Sequence, residues 1–221
     1  MKKKSIIIYA IILICLASVS FFIMKIINNE VIGIDRDVHL FVISLYNPFL
    51  TTLYMVLAKI GGRGGIAVVS IIAILVCIIK YKNKRAALFI CTNVILAGVI
   101  NHAIKGIIQR PRPDYRLMDV SGYSFPSGHS MGAMAFWGLL IIFAYKYIKN
   151  KALKWTLITG MSLLILGIGF SRIYLGVHYT SDVLSGFMIA LMQLILVSKI
   201  GFDFISKENI NEHKSPEKGQ E

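Results

Sequence analysis

The sequence predicts an all-α, polytopic membrane protein: six transmembrane helices with an extracytoplasmic interfacial helical segment. Three observations carry this. Hydrophobic residues are 56% and charged residues 16% of the 221, against roughly 45–50% and about 25% in soluble domains. The apolar residues fall in long blocks, most near the roughly 17–25 residues a helix needs to cross the hydrocarbon core. The lysines gather between alternate blocks, as the positive-inside rule requires. A disordered chain, a coiled coil and most soluble enzymes are excluded.

The first span is placed at 6–27, where the uncharged run Ile6–Met24 follows Lys2, Lys3 and Lys4. It resembles a signal peptide, but its core exceeds the usual roughly 7–15 residues and no small-x-small site follows, so it is expected to stay. The next apolar stretch, 38–60, is interrupted by Pro48 and flanked by Lys59 and Arg63. Were it to span, every later lysine-rich loop would face outward. It is read as interfacial or re-entrant, a broken amphipathic helix. Gly61-Gly62-Arg63-Gly64-Gly65 is read as a flexible turn in preference to a phosphate-cradling loop, because no strand precedes it.

The remaining spans are placed at 64–80, 86–108, 129–148, 152–170 and 180–200. Lys80 and Lys199 snorkel at the ends of the shorter ones. All five prolines lie outside the apolar runs. Cys15, Cys77 and Cys91 lie within them, as small hydrophobes and not as a disulfide framework. Residues 1–206 form one membrane domain, and 207–221 are expected to be a polar, disordered cytoplasmic tail.

The formal charge of +13 invites a nucleic-acid partner. The lysines instead follow topology. Lys2–Lys4, the Lys80–Arg85 loop, the Lys146–Lys154 loop and the lysines from Lys199 onward all share one side if six spans start there. That side is the cytoplasm, with both termini in it. No nucleic-acid partner is expected.

Several cations oppose this trend. Lys25, Lys59 and Arg63 are read as headgroup anchors. Lys105, Arg112 and Arg172 keep different company. Lys105 ends the third span; Arg112-Pro113 follows in the loop; Pro126-Ser127-Gly128-His129 opens the fourth span. Ser171-Arg172 closes the fifth, and His178 and Asp182 lead into the sixth. The derived topology puts all three clusters on the extracytoplasmic face.

These residue types suit the cleavage of a phosphate ester. Lys105 offers a point charge, and Arg112 and Arg172 offer bidentate forks. Ser127 and Gly128 precede a helix, whose free amides suit an anion. His178 and Asp182 are spaced i, i+4, so the carboxylate can take the Nδ1 proton and aim Nε2 at phosphorus. His129 would protonate the leaving oxygen. His102 and Asn101 are left as packing residues, and His39 is assigned nothing. No cofactor is expected, and no metal, because the surrounding cations repel a divalent ion and no tight ligand set exists.

Lys105-x6-Arg112-Pro113, Pro126-Ser127-Gly128-His129 and Ser171-Arg172-x5-His178-x3-Asp182 resemble the three-part signature of the type 2 phosphatidic acid phosphatase superfamily. The six-span plan is similar to that of its bacterial phosphatidylglycerophosphatase B-like members. The resemblance implies a metal-independent lipid phosphatase working through a phosphohistidine. It makes His178 the nucleophile, His129 the acid and Asp182 the partner of His178. Lys105, Arg112, Ser127, Gly128 and Arg172 would hold phosphate. The implied partner is a lipid phosphate or diphosphate, such as phosphatidylglycerophosphate, phosphatidic acid or undecaprenyl diphosphate. The doubled Arg110-Pro111-Arg112-Pro113 leaves the role of Arg110 open between headgroup contact and support. The alternative is a small transporter or channel with an anion site. It fits less well, because transporters place such sites near the midplane on broken helices.

Overall fold

A computed structural model describes residues 2–212, with side chains described over 5–198. The described residues form eight helices: α1 (Lys2–Ile27), α2 (Gly33–Ile43), α3 (Pro48–Gly61), α4 (Arg63–Ile79), α5 (Lys84–Ile108), α6 (Gly128–Tyr147), α7 (Lys151–Tyr174) and α8 (Thr180–Glu212). Local chemistry sets several of the boundaries. Asn83, Ser127 and Asn150 cap α5, α6 and α7 by accepting from backbone N–H groups in the first turn. α5 stops at Gln109, which takes the left-handed conformation with φ 50°, before Pro111 and Pro113 forbid further helix.

α1, α5, α6, α7 and the first part of α8 (Thr180–Ser198) are each long and apolar enough to cross a membrane. α3 and α4 pass that test only as a pair, bent by 53°. The chain is thus a multi-pass membrane protein with five spans, or six when the bent pair counts as one. Leu13, Ile95, Leu163 and Leu166 are largely exposed on the outside of the bundle, a surface that only lipid can cover at this extent.

The stretch expected as one interfacial segment over 38–60 is two helices, and the second belongs to the bundle. Pro48 does not break α3; it occupies the N1/N2 position, where its missing N–H costs nothing, behind the Asn47 cap. Ala58 and Gly61 are buried. Tyr54 packs on Phe170 and Tyr174 of α7, with ring centroids 5.4 and 4.5 Å apart.

The glycine run is likewise not a flexible turn. Only Gly62 separates α3 from α4, and a Cβ on Gly61 would collide with Ile168 of α7. A Cβ on Gly65 would collide with the carbonyls of Lys59 and Ile60. The bend is closely packed, and glycine is what lets it close.

α6 and α8 hold the centre. Met131, Ala133, Ala135, Phe136 and Leu139 of α6 are buried, as are Ala190 and Leu194 of α8. Within this apolar interior Asn93 Nδ2 donates to the Ala135 carbonyl at 2.8 Å. Gln193 Nε2 donates to the Asn93 carbonyl and to Asn93 Oδ1, each at 2.8 Å. Such bonds fasten α5, α6 and α8 where lipid offers no alternative partner. The tail expected over 207–221 begins as a continuation of α8 to Glu212; the rest lies outside the described residues.

Candidate active site

Four helix ends meet at one end of the bundle: the C-termini of α5 and α7 and the N-termini of α6 and α8. They carry Lys105, Arg172, His129 and Asp182 respectively. The loop after α5 and the short turn after α7 cross above them. Leu117 N donates to the Leu175 carbonyl at 3.0 Å. Gly176 has φ +64°, and a Cβ there would lie 2.6 Å from the Tyr115 carbonyl oxygen. The turn can press against the loop only because this residue is glycine. That contact brings His178 under Arg112.

Arg112 is the hinge of the site. Its Nε donates to the Gly122 carbonyl at 2.9 Å, and Nη1 donates to the Val177 carbonyl at 2.7 Å. The same Nη1 lies 3.2 Å from His178 Nε2. A guanidinium has no lone pair to offer, so Nε2 accepts and the ring proton sits on Nδ1. Burial pushes the His178 pKa down to about 4, helped by Arg112 and Lys105 and opposed by Asp182. The resting imidazole is neutral, and its ring lines the cavity with the Nε2 lone pair accepting from Arg112.

On the other side of the ring, His178 Nδ1 lies 3.4 Å from Asp182 Oδ2. The pair is in contact but not aligned as a hydrogen bond. Asp182 is fully buried and occupied otherwise: Tyr179 N donates to Oδ2 at 2.9 Å, Ser124 Oγ donates to Oδ2, and Arg110 Nη1 donates to Oδ1 at 2.7 Å. Arg110 and Arg112 therefore do different things. Arg112 faces the cavity, whereas Arg110 grips the carboxylate behind the histidine.

A cavity of about 660 Å³ opens in front of His178. Lys105, Arg112, Gly128, His129, Arg172 and His178 line it. Lys105 Nζ donates to the carbonyls of Tyr123 and Ser124, the latter at 3.1 Å, which ties the loop to α5. The His129 ring hydrogen-bonds to the backbone of Ala58, beside the α3–α4 bend. Arg172 is 1% exposed, and its Nε has no hydrogen-bond partner among the described residues. A buried guanidinium without a carboxylate is costly unless an anion joins it.

Ser127 does not line the cavity. It is fully buried, and its Oγ accepts from Ser130 N at 3.4 Å and from Ser130 Oγ at 3.0 Å. Its own N–H donates to the Asp182 carbonyl at 3.0 Å. Capping α6 competes with ligand binding for that hydroxyl, and in this structure capping has it. Residues given no part in the site by sequence alone also line the cavity, among them Arg63, brought there by the bend, and His102, one turn before Lys105. The i, i+3 spacing to Lys105 was the available signal for His102. Asn101 also lines the cavity; its Nδ2 donates to the Pro126 carbonyl at 3.1 Å and steadies the start of α6.

The comparisons with known proteins agree with this fold. The PAP2 superfamily model matches residues 86–206. The Bacillus subtilis phosphatidylglycerophosphatase B is 40% identical over 110 residues, covering 48% of this chain and 52% of that protein. The undecaprenyl-diphosphatase BcrC of the same organism is 30% identical over 137 residues, covering 57% of this chain and 65% of that protein. The matched regions thus span about half and just under two thirds of these relatives' lengths. The crystal structure of a transmembrane PAP2 type phosphatidylglycerolphosphate phosphatase from Bacillus subtilis superposes with a TM-score of 0.75 at 24% identity, covering 86% of this chain and 96% of that one. The matched region covers more than half of the chain and includes the four helix ends that carry Lys105, His129, Arg172 and Asp182, and the chain belongs to the PAP2 superfamily.

Proposed function

We propose that this protein is an integral-membrane lipid phosphatase that hydrolyses the phosphate ester or diphosphate of a membrane lipid through a phosphohistidine, without a metal ion. One observation carries the reading: a buried, neutral His178 presents Nε2 to a cavity lined by Lys105, Arg112 and Arg172, with His129 in the same wall.

The steps follow from these positions. An incoming phosphate takes the Arg112 Nη1 donor away from His178, freeing the Nε2 lone pair. Nε2 attacks phosphorus as the bond to the leaving oxygen breaks, and His129, which takes up a proton from solvent as the phosphate dianion settles beside it, passes that proton to the leaving oxygen. The ring becomes positive, and Asp182 Oδ2 at 3.4 Å stabilises it. Water then attacks the phosphohistidine, His129 takes its proton, and phosphate departs. Lys105, Arg112, Arg172 and the first-turn amides of α6 hold the equatorial oxygens throughout. Among the described residues the lining presents cations and imidazoles and no carboxylate, which disfavours a divalent ion as the charge stabiliser.

His129 sits beside Gly62, and Arg63 comes next. A leaving group that itself carries a phosphate therefore meets a cation. The test is phosphate release from phosphatidic acid, phosphatidylglycerophosphate and undecaprenyl diphosphate in detergent, with no divalent metal added. All three are expected to be cleaved. Arg63→Gln is expected to lower kcat/KM severalfold on the two substrates with a second phosphate and to spare phosphatidic acid. Activity lost to a chelator and restored by magnesium would refute the metal-free chemistry.

In this reading one membrane domain, residues 1–206, carries the site, with both termini in the cytoplasm and the cavity on the extracytoplasmic face. The lysine-rich turns at Lys80–Lys84 and Lys146–Lys154 lie at the opposite end of the bundle, which supports that orientation. An Asp119→Cys variant, with Cys15, Cys77 and Cys91 replaced by alanine, should react with an impermeant thiol reagent in intact cells. Reaction only after permeabilisation inverts the assignment.

A further inference from the structure

We propose that Asp35, on the short helix α2, is a positioning residue for the reaction: it acts through Arg110 to hold the Asp182–His178 pair in its working geometry. The inference rests on the lipid phosphatase reading above. Asp35 lies outside residues 86–206, the part matched by the family model, and it does not line the cavity.

The contacts form one continuous chain. Asp35 is buried. Its Oδ2 accepts from Arg110 Nη2 at 2.8 Å and from Ser181 Oγ at 2.8 Å, and its Oδ1 accepts from Ser181 N at 2.7 Å. Arg110 Nη1 reaches the other way, donating to Asp182 Oδ1 at 2.7 Å and to Ser181 Oγ at 2.8 Å. The guanidinium carbon also lies over the Tyr179 ring, 3.8 Å from its centroid. Arg110 is thus clamped between two carboxylates from different helices and cannot swing.

The clamp has a chemical consequence. Arg110 on Oδ1, with the Tyr179 N–H and the Ser124 hydroxyl on Oδ2, fixes the plane of the Asp182 carboxylate and keeps Oδ2 3.4 Å from His178 Nδ1. The nearby negative charge favours the ring proton on Nδ1, the tautomer whose Nε2 can attack once phosphate draws Arg112 away. Asp35 also caps the first turn of α8 from outside, by accepting from Ser181 N, and its negative charge suits that helix end. A docking contact for α2 alone would need neither the second carboxylate of Arg110 nor the stacked Tyr179.

The test uses the purified full chain in detergent. Asp35→Asn and Arg110→Lys are compared with wild type and with Asp37→Asn, an exposed residue of the same helix that pairs with Arg36. Five quantities are read: kcat and KM on phosphatidic acid, inhibition by product phosphate, thermal unfolding, and the His178 tautomer by NMR of isotope-labelled histidine. For Asp35→Asn and Arg110→Lys, kcat should fall at least tenfold, with KM and phosphate inhibition within about twofold of wild type. His178 should change from one tautomer to a mixture. The double variant should lose no more than the worse single, because both act on one carboxylate. Asp37→Asn should match wild type.

Three results overturn the proposal: an unchanged kcat, an additive double variant, or a kcat loss with an unchanged tautomer. A wild type that cleaves no lipid phosphate instead sinks the phosphatase reading, and the tautomer then decides the role of Asp35 alone.

Discussion

His178→Ala should lose turnover by about four orders of magnitude or more while the protein stays folded. In the proposed mechanism the ring is the nucleophile, so its removal deletes the route to the covalent intermediate, and effects of this size are usual when a nucleophile is removed. The side chain is 3% exposed, so alanine leaves a small cavity; a monodisperse gel-filtration peak is the check on folding. The pH profile makes a sharper companion test. Attack needs the neutral ring, and burial sets the His178 pKa at about 4 in the free protein. As pH falls through that value the ring gains a proton and attack stops. The acid limb of kcat/KM for wild type should therefore lie near 4, well below the ordinary histidine value of about 6.5. Near-normal activity in His178→Ala removes the nucleophile assignment. An acid limb near 6.5 with the variant inactive would mean that the ring is solvated before substrate arrives.

The parts of this site that could be read from the sequence are those where spacing and topology converge on one face. Lys105, Arg112, His129, Arg172 and His178 needed only the parity of six spans and the clustering of cations against the charge trend. Asp182 was legible because i, i+4 places it beside His178. Other features depend on contacts with no local signature. Asp35 bonds to Ser181 across 146 positions, and a single aspartate on a short amphipathic helix predicts nothing by itself. Arg63 looks like any interfacial arginine until the α3–α4 bend turns it inward. Pro48 was read as an interruption, although proline at the start of a helix is favourable. The same residue type carries opposite meanings one turn apart, and only the position of the Asn47 cap distinguishes them. Ser127 shows a further limit: one hydroxyl suits a helix cap and an anion equally, and sequence cannot say which partner takes it.

Arg172→Met should cut kcat/KM by about a thousandfold, in line with losing a preorganised charge at the reacting centre, and yet raise stability. Folding buries this guanidinium with no carboxylate beside it among the described residues and with Arg112 near enough to repel it. Such a charge costs several kcal/mol to desolvate, and replacing buried ionic groups by packed apolar ones is often stabilising by about 1–4 kcal/mol. The cost is recovered only when an anion enters the cavity. Wild type should accordingly gain thermal stability as inorganic phosphate is added, by the linkage between ligand binding and folding. Arg172→Met should unfold at a higher temperature than wild type without phosphate and respond weakly to its addition. Arg172→Lys separates charge from shape: it keeps the cation but loses the fork that holds two phosphate oxygens at once, so its activity should fall between the two. A methionine variant that is less stable than wild type, or that phosphate stabilises as strongly, would show that Arg172 is paired inside the fold and is not waiting for substrate.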